Sequence, residues 1–158
     1  MTEPTSAAVV AELSAIPDQL EQLATRVAHG APAPTVADAW TPSEIAGHLC
    51  DAARYWGARM RRVVHEDEPT LETFDENMLV RLGAHQYWPL DDLLREFRLL
   101  SEANVAFLRG LASEQWERAG VHETRGRLTL REIVAIEADH EQGHARQLAQ
   151  TVGAARSS

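Results

Sequence analysis

Apolar residues recur every three or four positions along four separate segments of this 158-residue chain. That spacing places them on one face of an α-helix, because a helix completes a turn every 3.6 residues. The stripes run from Val9 to Val27, from Ile45 to Met60, from Leu90 to Leu111 and from Leu130 to Val152. No run of residues alternates convincingly between apolar and polar, so the pattern predicts an all-α fold without strands.

Two of these segments begin with the same capping signal. Thr41 and Glu44 lie at the start of the second segment, and Thr129 and Glu132 lie at the start of the fourth. A Thr followed three residues later by Glu can form a capping box, in which each side chain satisfies a backbone N–H of the other. We therefore expect defined helix starts at both points, and we expect Gly30 to end the first helix.

The connection between the second and third helices is long. Residues 66–89 hold no long periodic run, although Leu71 to Leu82 could form a short helix with Met78 and Leu79 facing inward. A connection of this length can run the length of the molecule, so that helices two and three lie parallel. We predict a four-helix bundle with a long crossover between helices two and three, and a single domain over residues 1–158.

Charge and composition argue against several partners. The formal net charge is −9, whereas contacts to nucleic-acid phosphates need a basic face. No apolar run approaches the roughly 18 residues of a membrane helix, and the start has no secretion signal. The single cysteine, Cys50, excludes an internal disulfide and fits a reducing compartment. We expect a cytoplasmic protein that binds neither nucleic acid nor membranes.

Three histidines fall on stripes that should face the bundle interior: His48 on the second helix, and His140 and His144 on the fourth. If these helices are antiparallel neighbours, the three imidazoles can meet at one point. Three neutral imidazoles with a fourth position left to water are typical of a catalytic zinc-type site. We predict a divalent metal site here; the alternative is that each histidine is a hydrogen-bonded core residue.

The stretch from His140 to His144 also matches the H-E-x-x-H pattern of zinc proteases, in which the Glu acts on a metal-bound water. Those proteases usually need a larger domain with an edge strand, which is not expected here. Glu141 could still act on a metal-bound water, which makes it the candidate catalytic residue. The alternatives for Glu141 are a solvated position or a supporting role beside the ligands. A di-iron site starting from Glu137 would need a second Glu-x-x-His pair on another helix, which the sequence lacks. Glu137, Gln147 and Asp51 are candidates to orient the imidazoles.

Two stretches resemble the signatures of a known family. Trp40 to Leu49 is similar to a W-(S/T)-x-x-E-(I/L)-x-x-H-L helix start, and His140 to Gln147 is similar to an H-(D/E)-x-x-H-x-x-Q helix end. Both belong to the DinB/YfiT family of small bacterial metal-binding four-helix bundles. Trp116, before a glycine-containing loop, also fits, so the resemblance spans nearly the whole chain.

The resemblance implies a homodimer and a divalent metal, usually zinc or nickel, held by His48, His140 and His144. Some members are thiol-dependent transferases or isomerases that use bacillithiol or mycothiol, and others are described as metal-dependent hydrolases. A Glu replaces one His in the mycothiol-dependent isomerases, so the all-His pattern is closer to the other branches. We expect an enzyme whose metal activates water or a low-molecular-weight thiol towards a small-molecule substrate. The alternative is a non-catalytic stress-response protein that binds a metal or small ligand.

Overall fold

The computed structural model describes residues 5–27 and 39–154. Gly30, and the side chains of Val27 and Val152, lie outside this description. The described residues form five α-helices: α1 (Ser6–Val27), α2 (Pro42–His65), α3 (Glu76–Gly83), α4 (Leu90–Arg109) and α5 (Leu130–Ala154). The four long helices are those that the apolar stripes predict, and the prediction of a four-helix bundle is confirmed.

Contacts along α2 and α4 show that these helices run parallel. Near the start of both, the Cys50 thiol donates to the Leu93 carbonyl oxygen at 3.2 Å. Further along both, Arg61 Nη1 donates to Asn104 Oδ1 at 3.0 Å. Parallel neighbours need a connection that returns along the molecule, so the predicted crossover is confirmed.

Helices α2 and α5 are antiparallel neighbours. Arg118 Nε donates to the carbonyl oxygen of Val63, near the end of α2, at 2.9 Å. The Arg118 carbonyl oxygen accepts from the backbone N–H of Leu130, the first residue of α5. The second turn of α2 therefore lies beside the middle of α5, while α1 packs against α4 and α5 on the other side.

The apolar core lies between these four helices. The large side chains sealed from solvent come from all four of the predicted stripes: Ile16, Leu20, Leu49, Met60, Phe97, Leu108, Ile133 and Leu148. The capping box at the start of α2 forms as predicted, with Glu44 N–H donating to Thr41 Oγ1 at 3.2 Å. None of the helices in the described residues has the length and apolar character that crossing a bilayer requires.

The prediction that the chain has no strands is wrong. A three-stranded sheet forms in the order β1 (Thr70–Leu71), β2 (Ala119–His122) and β3 (Gly126–Thr129). β1 pairs parallel to β2, with Thr70 opposite Val121, and β2 and β3 form an antiparallel hairpin. Strands of two to four residues are too short to show an alternating pattern. The sheet attaches the crossover to the hairpin that precedes α5.

The short helix of the crossover differs from its prediction. It begins later, at Glu76, because Asp75 caps it by accepting the backbone N–H of Met78 at 2.9 Å. Val80 is its buried residue, whereas Met78, expected to face inward, is 45% exposed. This start places Glu76 in the first turn of α3.

Candidate metal centre

The three predicted histidines converge between α2 and α5. His48 Nε2 lies 3.0 Å from His140 Nε2, and His144 Nε2 lies 3.2 Å from the same atom. His140 and His144 are one turn apart on α5, so their rings share the face that meets the second turn of α2. The structure therefore brings together all three residues that the sequence singles out.

The spacing of these nitrogens fits the coordination sphere of one small ion. Ligands at 2.0–2.1 Å from a tetrahedral zinc lie about 3.3 Å from each other, close to the observed separations. A proton can bridge only one pair of nitrogens at a time. Three nitrogens that face a common point are therefore better matched by a cation than by hydrogen bonds among themselves.

Gln147 fixes the proton on one of the rings. Its side-chain oxygen, Oε1, lies 2.7 Å from His144 Nδ1. An amide oxygen can only accept, so Nδ1 carries the proton and the lone pair of Nε2 points at the other two imidazoles. This hydrogen bond is the contact that the predicted orienting role of Gln147 requires, and the role itself stays a prediction.

Burial keeps the imidazoles of His48 and His144 neutral. His48 is fully buried. Its burial is the larger cause, and the charge of neighbouring His144 the next, of a pKa lowered to about 3. Burial also lowers the pKa of His144. Neutral imidazole is the form that binds a metal ion, so both rings are in the required state at neutral pH.

Glu76 joins the histidines, a residue that no sequence pattern singles out. Its Oε1 lies 3.4 Å from His140 Nε2 and its Oε2 lies 3.9 Å from His48 Nε2. One ligand atom from each of Glu76, His48, His140 and His144 lies within 4.8 Å of the others. The hydrogen bond to His140 lowers the pKa of Glu76, against the opposing effect of burial. The side chain is 42% exposed, so it stands at the edge of the group.

Glu141 lies outside this group. It is 1% exposed, as is Glu137, and the two carboxyl groups are within hydrogen-bonding reach of each other. Burial raises the pKa of Glu141 to about 8 and raises that of Glu137 well above its ordinary value. The solvated alternative for Glu141 is therefore wrong, and its catalytic role stays a prediction. Glu137, a candidate to orient an imidazole, pairs with Glu141 instead.

Asp51 also has a different partner from the one expected. Its Oδ2 lies 2.9 Å from Nε2 of His85, a residue of the crossover, rather than near the three imidazoles. The His85 ring lies so close to α2 that a Cβ at Gly47 would be 2.1 Å from its Cγ. This contact holds the crossover against α2 one residue before His48.

One aromatic ring and one cavity flank the imidazoles. The Trp40 ring centroid lies 4.9 Å from that of His48 and 5.8 Å from that of His144. Beside His140 and Glu76 is a cavity of about 520 Å³, a volume that suits a small molecule. The histidine–glutamate group is therefore covered by Trp40 and adjoins a space that a substrate could occupy.

Comparison with known proteins gives a family match and a structural match. The model of the family described as the DinB superfamily matches residues 3–148. Among solved structures, the chain is similar to YfiT from Bacillus subtilis, described as a probable metal-dependent hydrolase with an unusual four-helix bundle topology. The two are 20% identical with a TM-score of 0.85, over 96% of this chain and 87% of that chain, which shows a shared fold. No curated protein matches the chain.

Proposed function

Because the chain belongs to the DinB superfamily, we propose that it is a metal-dependent hydrolase whose divalent ion is held by His48, His140 and His144. The observation that carries this proposal is the convergence of three Nε2 atoms at separations of 3.0 and 3.2 Å. The description of YfiT, which shares the fold, as a probable metal-dependent hydrolase supports the proposal.

The residues around the imidazoles have separable tasks. A divalent ion, zinc or nickel from the ligand type, would lower the pKa of a water or thiol and so supply a nucleophile at neutral pH. Gln147 holds the His144 ring in the tautomer that binds the ion. Trp40 shields two of the imidazoles from solvent. Glu76 Oε1, at the edge of the cavity, is placed to accept the proton of the nucleophile, and is better placed than buried Glu141.

The position of Glu76 also favours a second candidate function. If Glu76 is a fourth ligand, four protein atoms close the site, as in structural metal centres, and the protein would bind metal without catalysis. Glu76→Gln separates the two. A proton acceptor would keep its metal affinity and lose about 10²–10⁴-fold in turnover. A fourth ligand would lose metal affinity instead.

The test of the hydrolase proposal is turnover of aryl esters and amides by untagged protein, with and without metal and with and without a low-molecular-weight thiol. We expect metal-dependent hydrolysis without thiol, lost together with the metal in His140→Ala. His65→Ala, at the exposed last residue of α2, is the matched control and should behave like the wild type. Equal turnover by wild type and His140→Ala would contradict the proposal, and turnover only with thiol would replace hydrolysis by thiol transfer.

The partner predictions accompany this proposal. The cavity suits a small-molecule substrate. A homodimer, which sedimentation analysis would test, a cytoplasmic location and the absence of nucleic-acid binding all stay predictions.

A further inference from the structure

The cavity beside the imidazoles is lined by a buried cation, Arg59, on which the carboxylates of Glu72 and Glu123 act only from beyond salt-bridge distance. Arg59 is 6% exposed, and in residues 5–27 and 39–154 no carboxylate lies within salt-bridge distance of its guanidinium. Arg59 donates to the backbone carbonyl oxygen of Glu72, whose carboxylate pairs with Arg62 instead. Burying an unpaired charge is costly, so this arrangement is one that an anion would stabilise.

Two aromatic rings lie next to this cation. The Arg59 guanidinium carbon lies 5.0 Å from the Trp56 ring centroid and 5.3 Å from that of Phe74, and both rings line the cavity. Trp56 is 7% exposed, and its indole N–H has no hydrogen-bond partner among the described residues. The cavity lining beside Arg59 therefore includes apolar surface and one unpaired donor, the indole N–H of Trp56.

The β2–β3 hairpin adds further donors to the same end of the cavity. His122 Nδ1 accepts the backbone N–H of Thr124 at 3.3 Å, so the ring proton is on Nε2. Burial, and then the charge of Arg59, lower the pKa of His122, which keeps the ring neutral. Arg125, exposed at the hairpin turn, also lines the cavity.

The cavity lining also carries negative charge. Glu76 and Asp139 line it together with His140. An anion is expected to bind at Arg59 rather than beside these two carboxylates, so that the rest of the molecule extends towards the imidazoles.

We infer that this cavity binds an anionic group of the substrate, a carboxylate or a phosphate, at Arg59, with an apolar part of the same molecule beside Trp56 and Phe74. Naming that molecule as the substrate rests on the proposed function. The binding of the anion does not, because it depends on Arg59 and its neighbours rather than on a metal.

The test compares benzoate and phenyl phosphate with benzamide, a neutral analogue of benzoate, by calorimetric titration of metal-free, untagged protein. A charge-assisted contact is expected to make one or both anions bind about 10- to 100-fold more tightly than benzamide. The tighter of the two identifies the anion. Equal binding of all three would overturn the inference, as would a preference that appears only when metal is present.

Variants localise the effect. Arg59→Gln should abolish the preference for the anion, and Arg125→Gln should weaken it. Arg95→Gln, on the exposed face of α4 and paired with Asp92, is the matched control and should leave it unchanged. A preference that persists in folded Arg59→Gln would overturn the inference. If circular dichroism shows that Arg59→Gln does not fold, Arg125→Gln decides: weaker preference supports the inference, and unchanged preference overturns it.

Metal content measured on the same samples separates this inference from the proposed function. Protein that prefers the anion and takes up no divalent ion would overturn the hydrolase proposal and support the anion site. Protein that takes up the ion and binds neither benzoate nor phenyl phosphate more tightly than benzamide would overturn the anion site and support the hydrolase proposal.

Discussion

Replacing His48 by leucine should affect the metal-free and metal-loaded protein in opposite directions. His48 is fully buried, its Nδ1 has no hydrogen-bond partner among the described residues, and its Nε2 faces His140 Nε2 at 3.0 Å. An unpaired buried polar group costs about 1–3 kcal/mol, and the shared proton between the two rings recovers about 1 kcal/mol of this. Metal-free His48→Leu is therefore expected to be as stable as the metal-free wild type, or about 2 kcal/mol more stable.

Metal should reverse that order. Free metal at 100 times the dissociation constant stabilises a native protein by about 2.7 kcal/mol. For a chain of this size, 1 kcal/mol shifts the melting temperature by about 2–4 °C, so the wild type should gain about 5–11 °C. His48→Leu lacks one ligand and should gain little.

Scanning calorimetry with chelator and with excess zinc or nickel measures both effects, and His65→Leu at the exposed end of α2 is the control. A metal-free His48→Leu variant that is several kcal/mol less stable than the metal-free wild type would refute the reasoning. It would mean that His48 is a hydrogen-bonded core residue.

Further predictions concern the surroundings of the site. Gln147→Leu frees the His144 ring and should lower metal affinity about 10–100-fold in competition with a chromophoric chelator; unchanged affinity would exclude the orienting role. Gly47→Ala places a Cβ 2.1 Å from His85 Cγ and should destabilise the fold by about 1–3 kcal/mol in urea, and an unaltered midpoint would argue against this packing. The pKa of Glu137 is raised in the folded protein, so protonation of Glu137 stabilises the fold. This contribution is fully present below pH 4.5, the ordinary pKa, and is lost as pH rises from there through the folded-state pKa. The free energy of unfolding of the wild type should therefore fall between these two pKa values. Glu137→Gln stays neutral and should show a smaller fall in metal-free denaturation curves; parallel curves would contradict the shift.

Local sequence signals are sufficient to predict the four-helix bundle and the three histidines that converge in it. The four long helices follow from apolar stripes, and the capping box at Thr41 sets the start of α2 and therefore the depth of His48. His140 and His144 share a face because they are four residues apart. The antiparallel placement of α2 and α5 was a conditional assumption, which the contacts of Arg118 support.

Features that depend on non-local packing could not be predicted from the sequence. β1 has two residues and pairs with a strand about fifty positions away, so no local pattern marks it. Glu76 reaches the imidazoles only because α3 of the crossover packs against α2, which periodicity within the crossover does not indicate. Glu141 looked solvent-exposed because it is rotated about 100° from His140, but α5 packs against both α1 and α2 and buries that side as well.

The most direct test of the metal centre is elemental analysis of untagged protein, incubated with zinc or nickel and then desalted. The geometry of His48, His140 and His144 predicts about one divalent ion per chain in the wild type and a small fraction of that in His140→Ala. Wild-type protein that retains no more metal than His140→Ala would contradict the existence of the site.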